Sequence, residues 1–253
     1  MNSELFPELD GLYTSAAWDE LLKRSSDNNH PEILYYKALA LQQLKKFDEA
    51  IEVYDSLYSF NAPSLREIDY NIGLCHYHLG NLPKASKFLK KYLLSNPQHP
   101  HIYFHLCKVL FALKAYEEIN EACEKADIWR VKHIPYYTWA IALYKLKKEK
   151  KAHSVLIINM SENPKKSEDW LLLGKILERC GYYWDAGNCY ERSLHYNMLC
   201  KKAKKHIKKI RKFREKSFFK PDEKHIVELD EPITPKMPRM KSRNCEDLEC
   251  VVF

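Results

Sequence analysis

Apolar positions along this chain recur with a helical period, and the pattern is clearest in Trp170–Asn197, WLLLGKILERCGYYWDAGNCYERSLHYN. Trp170, Leu173, Gly174 and Leu177 are spaced as one face of a helix. Gly181 interrupts the pattern, and Tyr183, Ala186 and Tyr190 resume it on a second helix. The spacing predicts two short antiparallel helices joined by a tight turn.

Earlier stretches repeat the arrangement. Pro31 opens a unit with Leu34, Ala38 and Leu41 on its first helix and Phe47, Ala50 and Tyr54 on its second. A second unit carries Gly73, Gly80, Ala85 and Leu89, a third Tyr103, Leu106, Cys107, Tyr116, Ile119 and Cys123, and a fourth Tyr136, Trp139, Ala140, Ala152 and Leu156. The small-residue position of the second helix falls at Ala50, Ala85, Ile119, Ala152 and Ala186, giving steps of 35, 34, 33 and 34 residues. One such helix pair cannot bury its own apolar face, so copies must stack.

In period and motif this resembles the tetratricopeptide repeat, over roughly residues 11–198. The resemblance implies an all-α, right-handed superhelical solenoid of antiparallel helix pairs, with about five units. Residues 1–30 are expected to form an N-terminal half-repeat, with Tyr13 and Ala16 on a second-helix pattern and Trp18 and Leu21 for packing. The five repeats occupy 31–198. Two departures stand in the fourth: Glu149 replaces an aromatic and Asn159 a small residue, which predicts the loosest unit.

The 199–216 stretch is an otherwise cationic helix with a narrow apolar stripe of Ala203, Ile207, Ile210 and Phe213. It is expected to cap the last repeat. Its basic surface comprises Lys201, Lys204, Lys205, Lys208, Lys209, Arg211 and Lys212, and its Lys and Arg outnumber the whole chain's net charge of +7. From Ser217 the periodicity ends amid Pro221, Pro232, Pro235 and Pro238, and 217–253 is read as a flexible tail. The tail closes on Cys250-Val251-Val252-Phe253, a C-a-a-X box whose terminal Phe fits geranylgeranylation of Cys250 by a prenyltransferase. One lipid chain anchors weakly, so a second signal is expected, from palmitoylation of Cys245 or from tail cations such as Lys236 and Arg239.

Composition narrows the classes further. No apolar run approaches the roughly 20 residues of a membrane span, and the acidic start lacks the features of a secretory or transit signal. The 8 Cys are scattered without a C-x-x-C pair, which fits reduced thiols in a cytosolic protein. Cys75 and His78 lack further ligands, so no metal site is expected. There is no Gly-rich phosphate loop or nucleophile elbow, so neither an enzyme nor a cofactor nor a small-molecule substrate is expected.

In tetratricopeptide proteins, first-helix residues line a concave groove. The register puts Tyr35, Tyr70, Phe104 and Tyr137 at one such position, and Tyr77, Phe111 and Tyr144 at another, with Gln42 and Glu178 ending the second row. Aromatic rows suit a peptide segment or an amphipathic helix of a protein partner. Tyr35 and Leu39 stand where a carboxylate-clamp repeat would carry Lys and Asn, which argues against that clamp; Lys108, Lys175 and Arg179 offer charge to an acidic partner instead. The expected function is an adaptor held peripherally on the cytosolic face of a membrane, in a eukaryotic cell or as a bacterial effector lipidated in its host. The competing readings are a subunit of a larger complex, or a nuclear or nucleic-acid-associated scaffold using 199–216, with the C-a-a-X box accidental.

Overall fold

The computed structural model describes residues 5–25, 29–60, 67–99, 101–162 and 164–216. Among these residues it contains thirteen α-helices and no strand. The helices fall into two compact units, Met1–Pro135 and Tyr136–Phe253.

The first unit holds α1 (Leu5–Thr14), α2 (Trp18–Ser25), α3 (Pro31–Gln43), α4 (Phe47–Leu57), α5 (Ile68–His78), α6 (Leu82–Ser95), α7 (Ile102–Ala112) and α8 (Tyr116–Ile128). The second holds α9 (Tyr136–Lys145), α10 (Glu149–Glu162), α11 (Ser167–Arg179), α12 (Tyr183–Tyr196) and α13 (Lys201–Lys216). From α3 to α12 the helices form five pairs.

Each pair turns in the same way. After α3, the amide of Lys46 donates to the Leu41 carbonyl and that of Lys45 to Gln42; after α11, Tyr182 donates to Leu177 and Gly181 to Glu178. These bonds satisfy carbonyls a helix end would otherwise leave open. The closing residue must take a positive φ. Gly80 and Gly181 adopt it at 78° and 86°, while Lys45, Lys114 and Lys147 occupy the same place at 63°, 60° and 60°. Pro31 and Pro83 sit in first turns, where a missing N–H costs nothing.

Burial follows the repeat register. Ala50, Ala85, Ile119, Ala152 and Ala186 are all fully buried, as are Tyr54 and Tyr190. In the first unit Ala38, Leu41, Tyr54, Leu57, Ile72 and Cys75 form one apolar cluster, and Leu9, Leu21, Ile33 and Ala40 a second beneath the N-terminal helices.

The N-terminal region departs from expectation. Tyr13 and Ala16 do not share a second helix: α1 ends at Thr14, and Ala16 is a turn residue with φ 58°. The chain reverses there through bonds from Ala16 to Tyr13 and from Ala17 to Leu12, and α2 begins at Trp18. Tyr13 instead packs edge-on against Trp18 and Tyr36.

Candidate functional site

Two surfaces bear on function, one in each unit. In the first unit the aromatic positions divide by what they touch. Tyr35 lies edge-on to Tyr54, with centroids 6.0 Å apart, and its hydroxyl accepts a hydrogen bond from Asn71 Nδ2 at 3.1 Å. Tyr70 packs on Tyr92 at 5.3 Å and on His99 at 5.2 Å, with His105 at 5.7 Å. Both rings are therefore joints between helices, and burial raises both phenols, Tyr70 to about 12. His105, also half-buried, is held down to about 4, chiefly by burial and then by the neighbouring Lys108.

Phe104 and Phe111 differ. They stand seven residues apart on α7, hence on one face, and are 50% and 37% exposed. Lys108 lies between them on that face, with Nζ 5.2 Å from the Tyr77 ring centre. Sulfur chemistry lies beneath: Cys107 and Cys123 are buried free thiols with Sγ atoms 3.6 Å apart, linking α7 to α8.

In the second unit, Tyr137 is half-buried, and burial followed by the nearby Asp169 and Glu168 pushes its phenol up to about 12. Tyr144 lies under Arg179, whose guanidinium carbon is 3.7 Å from the ring centre. Arg179 Nη1 also donates to the Tyr144 carbonyl at 2.6 Å and to Glu149 Oε1 at 2.9 Å. Neither ring is open in the manner of Phe104.

Glu178, in the row that holds tyrosine or phenylalanine in the three units before it, bonds to three side chains. One of its oxygens accepts from the Tyr190 hydroxyl at 2.7 Å and meets His206 Nδ1 at 2.8 Å; the other accepts from Lys209 Nζ at 2.6 Å. Burial raises this carboxyl, but the bonds from Lys209, Tyr190 and His206 outweigh it and hold it below the usual glutamate range. His206 also stacks on Tyr190, with centroids 4.8 Å apart. Through these contacts and buried Ala203 and Ile210, α13 docks on α11 and α12.

Lys201, Lys204, Lys205, Lys208, Lys209 and Arg211 of α13 are all exposed, and among the described residues only Lys209 of these has an ion-pair partner. Lys212 lies on the helix, but its side chain and that of Phe213 fall outside the described residues, as do Cys245, Cys250 and the whole of 217–253. Sequence reasoning missed the bonding of Glu149 and Asn159. Glu149 holds Arg179, and Asn159 donates to Asp169 Oδ2 at 2.9 Å. Asp169 is nearly inaccessible, and burial pushes its carboxyl up to about 6. Among the described residues no group of three or more His, Cys, Asp or Glu is arranged to hold a metal, and no helix is long and apolar enough to cross a membrane.

Residues 13–65 match the tetratricopeptide repeat family. No curated protein matches the chain by sequence. Among solved structures, the chain is similar to YrrB, described as a tetratricopeptide protein with an unusual peptide-binding site, at 13% identity and a TM-score of 0.64; the alignment covers 76% of this chain and 98% of that one. It is also similar to MamA from Desulfovibrio magneticus RS-1, at 15% identity and a TM-score of 0.58, covering 69% and 98%. A further MamA structure shares 19% identity with a TM-score of 0.58, covering 69% and 94%. At these identities the likeness establishes the fold, and the family match is confined to residues 13–65.

Proposed function

We propose that this chain is a protein-binding scaffold that takes a partner's apolar segment on α7 of the first unit and is held at a membrane by prenylation of Cys250. The observation that carries the first half is the exposed Phe104–Lys108–Phe111 face. Two phenylalanines open to water on one helix, with a cation between them, fit a peptide segment or amphipathic helix bearing apolar side chains and an acidic one. Tyr70 supports α7 from beneath through His105, Tyr35 joins α3 to α4 and α5, and neither is open in the manner of Phe104. The peptide-binding site named for YrrB is consistent with this use of the fold.

The second half rests on Cys250-Val251-Val252-Phe253 alone. A prenyltransferase alkylates the Cys250 thiolate, Val251–Phe253 is removed, and palmitoylation of Cys245 supplies the second signal. The setting is the cytosolic face of a eukaryotic membrane, reached by an endogenous protein or by a bacterial effector.

Intact-mass measurement and fractionation of wild type and Cys250→Ser test the tether. An isoprenoid on wild type, with membrane retention lost in the variant, is the expected result; an unmodified Cys250 in a stable complex supports the subunit reading instead. Salt-sensitive nuclear retention through 199–216 supports the nucleic-acid reading. For the binding face, Phe104→Ser with Phe111→Ser is expected to abolish capture of the partner that co-purifies with wild type, with thermal unfolding unchanged.

A further inference from the structure

We propose that α11 and α13 of the second unit form a binding site for an acidic peptide segment of a partner protein. The inference rests on reading the chain as a peptide-binding scaffold, and it is independent of the α7 face and of Cys250. Between the two helices lies an open cavity of about 440 Å3 lined by Lys175, Lys202, Lys205, His206 and Lys209. A neighbouring cavity of about 310 Å3 shares Lys175, His206 and Lys209 and adds the rings of Tyr144 and Tyr183 to its wall.

The charges there do not balance. Among the described residues Glu178 is the only carboxylate lining either cavity, and its oxygens are taken by Lys209, His206 and Tyr190. Arg179, also in the wall, is held by Glu149. Among the described residues, no carboxylate lies within ion-pair distance of Lys175, Lys202 or Lys205. Lys175 is half-buried, and its ammonium is depressed first by that burial and then by the like charges of Lys202 and Lys145. The like charge of Lys202 beside half-buried Lys175 is unfavourable until an anion enters.

Sequence explains how they converge. Lys202, Lys205 and Lys209 are spaced three and four residues apart on α13, so they form one stripe, and docking through Glu178 turns that stripe toward Lys175 on α11. Of the other cations on α13, Lys201, Lys204, Lys208 and Arg211 lie on the opposite flank of the buried Ala203 and Ile210. The concavity decides the occupant. A flat bilayer reaches exposed lysines but not half-buried Lys175, whereas an extended chain enters, setting carboxylates against the lysines and an apolar side chain against the exposed Tyr183 ring.

Isothermal titration of the full chain at low salt with an eight-residue peptide of glutamates around one phenylalanine tests this, with its all-glutamine counterpart alongside. Binding of the glutamate peptide alone is expected, weakened about tenfold by Lys175→Ala and strongly by about 0.5 M salt. Lys202→Ala and Lys205→Ala, at exposed positions that leave folding intact, are expected to weaken it as well. Phe104→Ser is expected to leave it unchanged, so failure of the α7 reading and failure of this one are distinguishable. Equal binding of the glutamine peptide, or indifference to all three lysine substitutions, overturns the proposal. Phosphatidylserine vesicles bound through these lysines, with no binding of the peptide, overturn it too.

Discussion

The first full repeat, α3–α4, and the last, α11–α12, share one frame, and three of their differences bear on the buried tyrosine and the turn. Tyr54 and Tyr190 occupy the same place, and both are fully buried. Tyr54 donates to Gln42 Oε1 at 3.1 Å, Tyr190 to Glu178 Oε2 at 2.7 Å. Opposite the ring the first repeat has Ala38 and the last Gly174; at the turn the first has Lys45 and the last Gly181. Exchanging an amide for a carboxylate at one position turns a repeat's internal bond into a charged receptor for a further helix. In Glu178 the last repeat keeps its tyrosine and gains His206 and Lys209, and α13 docks in consequence.

The largest break in this comparison is expected from Gly174→Ala, which gives the last repeat the first repeat's residue. A methyl group there falls 2.6 Å from the Tyr190 ring, closer than real contacts allow. Displacing the ring disturbs its bond to Glu178 and its stacking on His206 together. Overpacking of this kind costs about 2–3 kcal/mol, of which alanine's helix propensity returns up to about 1 kcal/mol. Chemical denaturation followed by near-ultraviolet tyrosine signal is expected to show a net loss. An unchanged midpoint would mean that the close approach of α11 and α12 is not needed.

A smaller effect is expected from Glu178→Gln, which copies Gln42. The Tyr190 bond survives, while the charged bonds to His206 and Lys209 weaken. Lys209 is well exposed, so the loss is about 0.5–1 kcal/mol, read as faster hydrogen exchange in α13. The pH dependence carries a sign. Because the folded carboxyl lies below its ordinary value of 4.5, its contribution is present above that value and is lost as pH falls through it and lower. Wild type and variant should therefore differ at neutral pH and converge in acid; a constant difference would assign the effect to packing.

The helical period, the buried small residue and the pairing of helices were legible because each is set by spacing, and spacing survives substitution. What was not legible depends on neighbours far along the chain. The register marks Tyr35 and Phe104 as equivalent, yet Asn71 and Tyr54 engage the first while the second faces water. Glu149 and Asn159 read as defects in the fourth repeat because their partners, Arg179 and Asp169, lie 30 and 10 residues on. The signal that was available is the row itself: a lone carboxylate ending a column of aromatics, just before a lysine-rich helix, marks a receptor for that helix.

The turns offer the finest test. Lys45 holds a φ of 63° where Gly181 has 86°. An L-residue in the left-handed region is strained by about 1–2 kcal/mol, but glycine gives back roughly 0.5–1 kcal/mol through the greater freedom of the unfolded chain. Lys45→Gly is therefore expected to stabilise the first unit by about 0.5 kcal/mol, and Gly181→Ala to destabilise the second by a similar or slightly larger amount, both read from denaturation midpoints. Since the turn bonds from Lys46 to Leu41 and from Tyr182 to Leu177 have the same length, 2.9 Å, the backbone closes equally well with either residue. If Lys45→Gly destabilises, the lysine is held by contacts of its side chain, and the two turns differ in more than conformational strain.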